Sequence, residues 1–358
     1  MPSPAPAPLA LKPDIADVAR RFDAYYAGEI IDRPIVLVTA PIAGRPHARG
    51  TDYREAVHGD MDDIVARALT NAEATYWGGE AVPAFPVSFG PDEIAVFCGA
   101  GLGWHDDYGD TNWSIPCVED WMTSPPIALN ERHPLWRRLL AFFRRASELL
   151  DGKMLVTGPD LHSNMDLLAG LRGPQRLCMD LVEQPEAIDR AMRGARAVFP
   201  RLWNAVRDAG RMDERGYCAQ LYSMVGAAIL QCDFCCMISP AMFRRWVLPA
   251  LEEEAEVVGH AYYHWDGPGA LVHTEDLCAS RGLHTLGYVP GDGRGRHIEY
   301  LDLFKRVQEL GKAVHVCGSQ DDVKAAHREL RPDRVMYTTW ADSPGDAEAL
   351  LEWFTRNT

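Results

Sequence analysis

Tyr263-His264-Trp265-Asp266-Gly267-Pro268-Gly269 is the stretch on which the fold turns. An apolar run ends there in two polar side chains at i and i+2, which point to one face of a strand, and Gly267 then breaks it. The same grammar recurs at Val314-His315-Val316-Cys317-Gly318, with His315 and Cys317 sharing a face before Gly318. Outward from these two segments, short β-branched or apolar runs alternate with longer amphipathic stretches from residue 150 onward, the pattern of βα units on a parallel sheet. Strand-like runs fall at Met154–Thr157, Tyr217–Tyr222, Ile229–Cys235, Ala261–Trp265, Leu283–Val289, Ala313–Cys317 and Val335–Thr339, and Ile35–Ala40 makes eight. Helical stretches lie at Gln175–Asp208 (one or two helices), Pro240–Val258, Ile298–Leu310, Asp321–Leu330 and Pro344–Asn357. Eight strands with intervening helices predict an α/β protein, closed as a (β/α)8 TIM barrel. In that fold polar residues at strand C-termini read as catalytic, and alternate strands fill one layer, so the fifth and seventh runs quoted above can meet.

A chain of 358 residues suits one such barrel domain, 1–358, once insertions are allowed. It is 47% hydrophobic and 24% charged, ordinary for a globular protein, and lacks the run of about 18 apolar residues needed to span a bilayer. Residues 1–11, rich in Pro and Ala, have neither a basic start nor an apolar core, so they read as a disordered tail rather than a signal peptide, and a cytoplasmic location is expected. The nine cysteines are then reduced thiols, some of them candidate ligands. A formal charge of −15 repels phosphate backbones and excludes nucleic acid as a partner. Residues 77–130, rich in Gly, Pro, Trp and Asp, break the βα rhythm and are expected to form an irregular insertion capping the barrel mouth. A small molecule is the expected partner. The oligomeric state is open, a homodimer being one option.

The strand endings supply the chemistry. His264, Asp266 and Cys317 are candidate ligands of one zinc ion with an open fourth position, the catalytic arrangement. The alternative is that His264 and Asp266 bind substrate polar groups or each other, while Cys317 is a small buried hydrophobe. Asp233 lies in an otherwise apolar run, where an acid needs a partner or a task. Cys232 and Cys235, three apart, fall on opposite faces of a strand and are expected to pack rather than chelate. Pro159-Asp160-Leu161-His162-Ser163-Asn164-Met165-Asp166 follows a strand as a βα loop; Asp160 or Ser163 can simply cap the next helix, which leaves His162 and Asp166 open, and Asp160 and His162 are taken as catalytic candidates. Tyr222 ends another strand. His315, Trp77, Trp113 and Trp340 are candidate substrate-binding groups, with insertion anchoring the alternative for Trp77 and Trp113. Gly291-Asp292-Gly293-Arg294-Gly295-Arg296 lacks the Lys-Ser/Thr ending of a phosphate loop, and is expected to be a lid whose Arg294 or Arg296 pairs with a carboxylate.

Gln231-Cys232-Asp233-Phe234, Met237-Ile238-Ser239-Pro240-Ala241-Met242-Phe243, Pro249 and His264-Trp265-Asp266-Gly267 together resemble the uroporphyrinogen-decarboxylase-like superfamily. Leu161-His162, Asp166, Leu171-Arg172-Gly173 and Pro185-Glu186 fit it also, so the resemblance runs from about residue 60 to the end. It implies one barrel shared by uroporphyrinogen decarboxylases, zinc-dependent methylcobamide:thiol methyltransferases and corrinoid demethylation enzymes. The decarboxylases' Arg-rich segment is matched here only by Arg45 and Arg49. The methyltransferases' His-x-Cys pair corresponds to His264 and Asp266, and their later Cys to a strand bearing Thr338 and Thr339. The function expected is metal-assisted methyl or alkyl transfer to a thiol, with a corrinoid, or a corrinoid protein as partner, as methyl donor. The alternatives are metal-free decarboxylation of a polycarboxylate and non-catalytic binding of a tetrapyrrole or corrinoid.

Overall fold

The computed structural model describes residues 4–105, 107 and 109–358. Its strands are β1 (Ile35–Pro41), β2 (Thr75–Gly79), β3 (Ala84–Pro86), β4 (Gly101–Trp104), β5 (Asn112–Ile115), β6 (Leu155–Thr157) and β7 (Tyr217–Ala219), followed by β8 (Leu221–Ser223), β9 (Ala227–Gln231), β10 (His260–Asp266), β11 (Leu283–Val289), β12 (Ala313–Cys317) and β13 (Val335–Trp340). Seven of them form one sheet in the order β2-β1-β13-β12-β11-β10-β9. Strands β1 and β9 to β13 run parallel, and β2 lies antiparallel along the free edge of β1. Such strands are covered on both faces, which is why they read as apolar runs: Val314, Val316, Val335 and Tyr337 are fully buried. Helices Leu301–Glu309, Gln320–His327 and Pro344–Asn357 alternate with the last strands. Ser319 opens the second of these with a capping box to Asp322, and Ser343 caps the third.

The β3 and β6 strands pair in parallel as a separate two-stranded sheet, yet their side chains line the same cavity as those of β1, β9, β10 and β13. The large parallel sheet is therefore present, while among the described residues its hydrogen bonding does not run continuously around a ring of eight strands. One physical reason is visible at β1, whose outer edge is taken by β2 through Thr39↔Trp77 and Leu37↔Gly79.

Several expected elements differ. Tyr217–Tyr222 is a hairpin of β7 and β8 rather than one strand, reversed at Gln220, whose φ is +60°. The run from Ile229 leaves the sheet at Gln231, and Asp233–Met237 winds into a 3-10 turn. Face alternation then no longer separates Cys232 from Cys235; both are buried, and Cys235 Sγ lies 3.8 Å from the Tyr263 hydroxyl. Gln175–Asp208 divides into helices Pro174–Glu183 and Pro185–Ala209, broken just before Pro185. Pro240–Val258 contains a widened π turn at Phe243–Val247, close ahead of Pro249, which has no N–H to donate. Residues 77–130, of which 106 and 108 lie outside the described residues, hold β3, helix Glu93–Phe97 and the β4–β5 hairpin.

Of the expected tail, residues 1–3 lie outside the described residues. Its far end is anchored rather than disordered: Leu9 is buried and the Ala10 N–H donates to the Gly152 carbonyl. The adjacent Lys12 is buried too, donating to the carbonyls of Trp77 and Gly79 at 2.8 and 2.7 Å and pairing with Asp14 at 3.1 Å. No helix among the described residues is long and apolar enough to cross a membrane.

Candidate active site

A cavity of about 820 Å³ opens where β1, β6, β9, β10 and β13 end, and its wall includes Thr39, Thr157, Gln231, His264 and Thr338. Beyond the strands, Asp160 and His162 reach it from the loop after β6, and Asp233 from the 3-10 turn after β9. Tyr53, Trp77, Phe85, Trp203 and Tyr222 supply aromatic wall.

His162 sits between two carboxylates, with Nε2 3.5 Å from Asp160 Oδ1 and Nδ1 3.4 Å from Asp166 Oδ2. Burial opposes its charge, but the two acids outweigh burial and raise its pKa to about 11, so the ring is an imidazolium. Asp160, which burial alone would raise, is held below its ordinary value by His162 and by the Gln231 amide, which donates to Oδ1. Asp166 accepts the backbone N–H groups of Asp233 and Phe234.

Asp233 has the opposite environment. Burial, followed by the negative charge of Asp166, pushes its carboxyl up to about 7, with Asp266 and Asp160 adding and His162 opposing. Its Oδ1 is buried without a hydrogen-bond partner. His264, register partner of Gln231 on one side and Gly287 on the other, is lowered by burial despite Asp266 and Asp160, so its ring is neutral. Behind the wall Glu93 accepts from Ser88 Oγ and the Phe89 N–H, and burial raises it to about 8.

A second polar set lies deeper, on β10, β12 and β13. The Tyr262 hydroxyl is 2.9 Å from His315 Nδ1, and His315 Nε2 is 2.8 Å from Thr338 Oγ1 and 3.3 Å from Cys317 Sγ. Burial drives His315 down to about 3 and the Cys317 thiol up to about 11, so both are neutral. The single proton of the neutral His315 ring serves one side only, so His315 donates to Thr338 and accepts from Tyr262, or the reverse. The Tyr262 contact needs a glycine at 287, because a Cβ there would stand 1.5 Å from the Tyr262 oxygen.

Among the predicted residues, Asp160, His162, Asp233, Tyr222, Trp77 and His264 line the cavity. His315 is buried at the second set, its ring nitrogens occupied by protein, which leaves none for a substrate. Trp113 is 45% exposed on β5, with its indole over Gly103 of the facing strand. Trp340 is 60% exposed as the last residue of β13, and Arg294 lies on the exposed 291–296 loop, its carbonyl accepting from Tyr300. Arg296 is bound by Asp322. His264, Asp266 and Cys317 do not converge: among the described residues no group of three or more His, Cys, Asp and Glu side chains is placed to hold a metal ion. Inward pointing from alternate strands gave a common layer but not a common point, and Cys317 turns to His315 within it.

Sequence reasoning missed Tyr53, Gln231 and Thr338 as lining groups. Gln231 carried a signal, standing at i+2 from Ile229 at the end of an apolar run. Arg49, weighed only as a stand-in for a basic segment, lines the cavity with both guanidinium nitrogens on Glu55, at 2.8 and 2.6 Å.

No family model and no curated protein matches the chain. Among solved structures it is similar to a methyltransferase from Methanosarcina mazei, with a TM-score of 0.63 and 14% identity over 95% of this chain and 98% of that one. It also aligns with a B12-independent methionine synthase from a Shewanella species, with a TM-score of 0.44 and 10% identity over 90% of this chain and 95% of that one. The first likeness shows a shared fold. The second is too loose to add to it.

Proposed function

We propose that the chain is a cytoplasmic enzyme of the uroporphyrinogen-decarboxylase-like superfamily that transfers a methyl or alkyl group between small molecules, working as one barrel unit with residues 77–130 contributing to its mouth. The observation that carries this choice is the charge of the cavity wall. Arg49 is its one Arg or Lys among the described residues and is already committed to Glu55, and His162 is clamped between two acids, whereas Asp233 is uncompensated. A polycarboxylate would meet carboxylates there and no free cation, which disfavours decarboxylation. A passive binder would have no use for an acid poised near neutrality. The similarity to a protein named as a methyltransferase points the same way.

In this reading a nucleophile X–H gives its proton to neutral His264 or to the Asp233 carboxylate. Its lone pair forms the bond to the methyl carbon while the bond to the leaving group breaks, both electrons departing with that group. Zinc does not fit the donor arrangement present, and no step is assigned to it. A corrinoid, free or carried by a partner protein, remains the donor class that the resemblance implies, and it would present its methyl group at the mouth.

The test is to incubate the protein with methylcobalamin and a panel of small thiols, following loss of the methyl–cobalt absorbance, in parallel with CO2 release from uroporphyrinogen. Methyl transfer that falls about a hundredfold or more in Asp233→Asn supports the proposal. Release of CO2 without methyl transfer overturns it.

A further inference from the structure

Asp233 Oδ1 is enclosed yet accepts no hydrogen bond, and the groups closest in charge to it are chiefly acids: Asp166, Asp266 and Asp160. The one neighbouring cation, His162, is shared between Asp160 and Asp166. Asp233 as a whole is half-buried, but ionising it leaves the enclosed Oδ1 without a partner, which is costly, so the cavity is short of one positive charge when Asp233 ionises. The rest of the wall fits a particular kind of cation. Tyr53, Trp77, Phe85, Trp203 and Tyr222 present rings from five different elements around the same space. The Trp77 indole N–H is taken up by the Ala72 carbonyl at 3.0 Å. Aromatic faces beside a carboxylate suit a cation that has no N–H to donate, because such a cation is held by charge and ring quadrupole rather than by directed hydrogen bonds.

We propose that this cavity, besides receiving the methyl group of a corrinoid at its mouth, accepts as a second methyl donor an onium compound, a quaternary ammonium or a sulfonium, with its cationic centre seated between the Asp233 carboxylate and the aromatic wall. The inference rests on the methyl-transfer reading for its chemistry, although its binding test does not. The electron count closes without a further reactant. The acceptor X–H loses its proton to a cavity base, X bonds the methyl carbon, and the C–N or C–S bond breaks with its pair returning to the heteroatom, which leaves as a neutral amine or sulfide.

The experiment titrates the purified chain with choline, with its uncharged carbon isostere 3,3-dimethylbutan-1-ol, and with the anion 3,3-dimethylbutanoate, reading heat of binding and tryptophan fluorescence at pH 8. Choline is expected to bind about tenfold or more tightly than the alcohol, and the anion most weakly. In Asp233→Asn the preference for choline over the alcohol should fall to near unity while alcohol binding persists, which also reports that the variant is folded. If Asp233→Asn binds nothing, Tyr53→Leu serves as the second variant, and it should weaken choline several-fold more than the alcohol. Equal binding of choline and alcohol to the parent, binding of neither, a preference for the anion, or full preference retained in the variants would each overturn the proposal. Selective onium binding without any methyl transfer would remove the reaction and leave the inference about the site standing.

Discussion

The Asp166 carboxylate accepts the Asp233 backbone N–H at 2.9 Å and the neighbouring Phe234 N–H at 2.8 Å, and so holds the turn that carries Asp233. It is also one of the two acids on His162. Asp166→Ala should therefore cost about 3 kcal/mol in urea denaturation, since two enclosed donors and an enclosed cation each lose an acceptor. Asp166→Asn, which keeps one acceptor oxygen, should fall between. An unaltered midpoint in Asp166→Ala would show that the turn holds itself.

Histidines tilt stability with pH in two opposite ways. His162 is raised to about 11, so its contribution is complete below the unfolded value of 6.5 and is lost as pH climbs from there through 11. His284 and His315 are both pushed to about 3, chiefly by burial, so their neutral forms favour the fold above 6.5 and stability declines as pH falls from 6.5 towards 3. Melting temperature against pH should drop on both sides, and His162→Gln should flatten only the alkaline side. A variant that keeps the alkaline slope would assign it elsewhere.

Asp233 titrates near 7 among Asp166, His162, Asp266 and Asp160. If its anion holds substrate or takes the proton, kcat/KM should rise with pH through about 7 and level off above. Asp233→Asn should remove that limb, leaving a low and nearly flat profile. Persistence of the same inflection would hand it to Glu93 or Glu254, each raised to about 8.

Metal analysis gives a clean contrast with the zinc expectation. Cys317 is a neutral thiol on His315, so Cys317→Ser and His264→Ala should both show the metal content of the parent. One zinc per chain in the parent, lost in both variants, would require β10 and β12 to bring those side chains together in solution.

Gly287→Ala should be among the most damaging methyl additions in the chain, because the new Cβ would stand 1.5 Å from the Tyr262 oxygen and 2.1 Å from its Cζ. About 2–3 kcal/mol of overpacking is expected in thermal unfolding. Adding Tyr262→Phe should not restore stability, since the ring carbon itself collides; full rescue by that change would mean that the hydroxyl alone was at fault.

How much of this was legible depended on which contacts are local. The two strand endings around His264 and His315 could be read from i, i+2 spacing and a following glycine, and both lie on parallel strands. Asp160 and His162 were likewise legible as a loop after β6. By contrast, β3 is three residues long, preceded by Pro83 and ending in Pro86, too short for any period to register. Asp233 was recognised as anomalous, but its position could not be derived, because the turn that carries it is organised by an acid far away in sequence. The same limit governed the supposed metal triad: strand periodicity tells which face a side chain takes, whereas the lateral choice of Cys317 for His315 is made by packing across β12 and β13.

Lys12 has a consequence beyond anchoring the chain start. Strand β2 is one of the two outer strands of the large sheet, and the carbonyls of Trp77 and Gly79 point away from β1 on its open side. Unpaired carbonyls in such a row are a template on which another polypeptide can add itself and seed aggregation. A single ammonium across both of them denies that template to strangers, and Asp14 keeps the ammonium in place. Protection of this edge against self-association is thus lodged in a short segment that belongs to no strand, so Lys12→Met should aggregate faster on mild heating while its cavity chemistry is untouched.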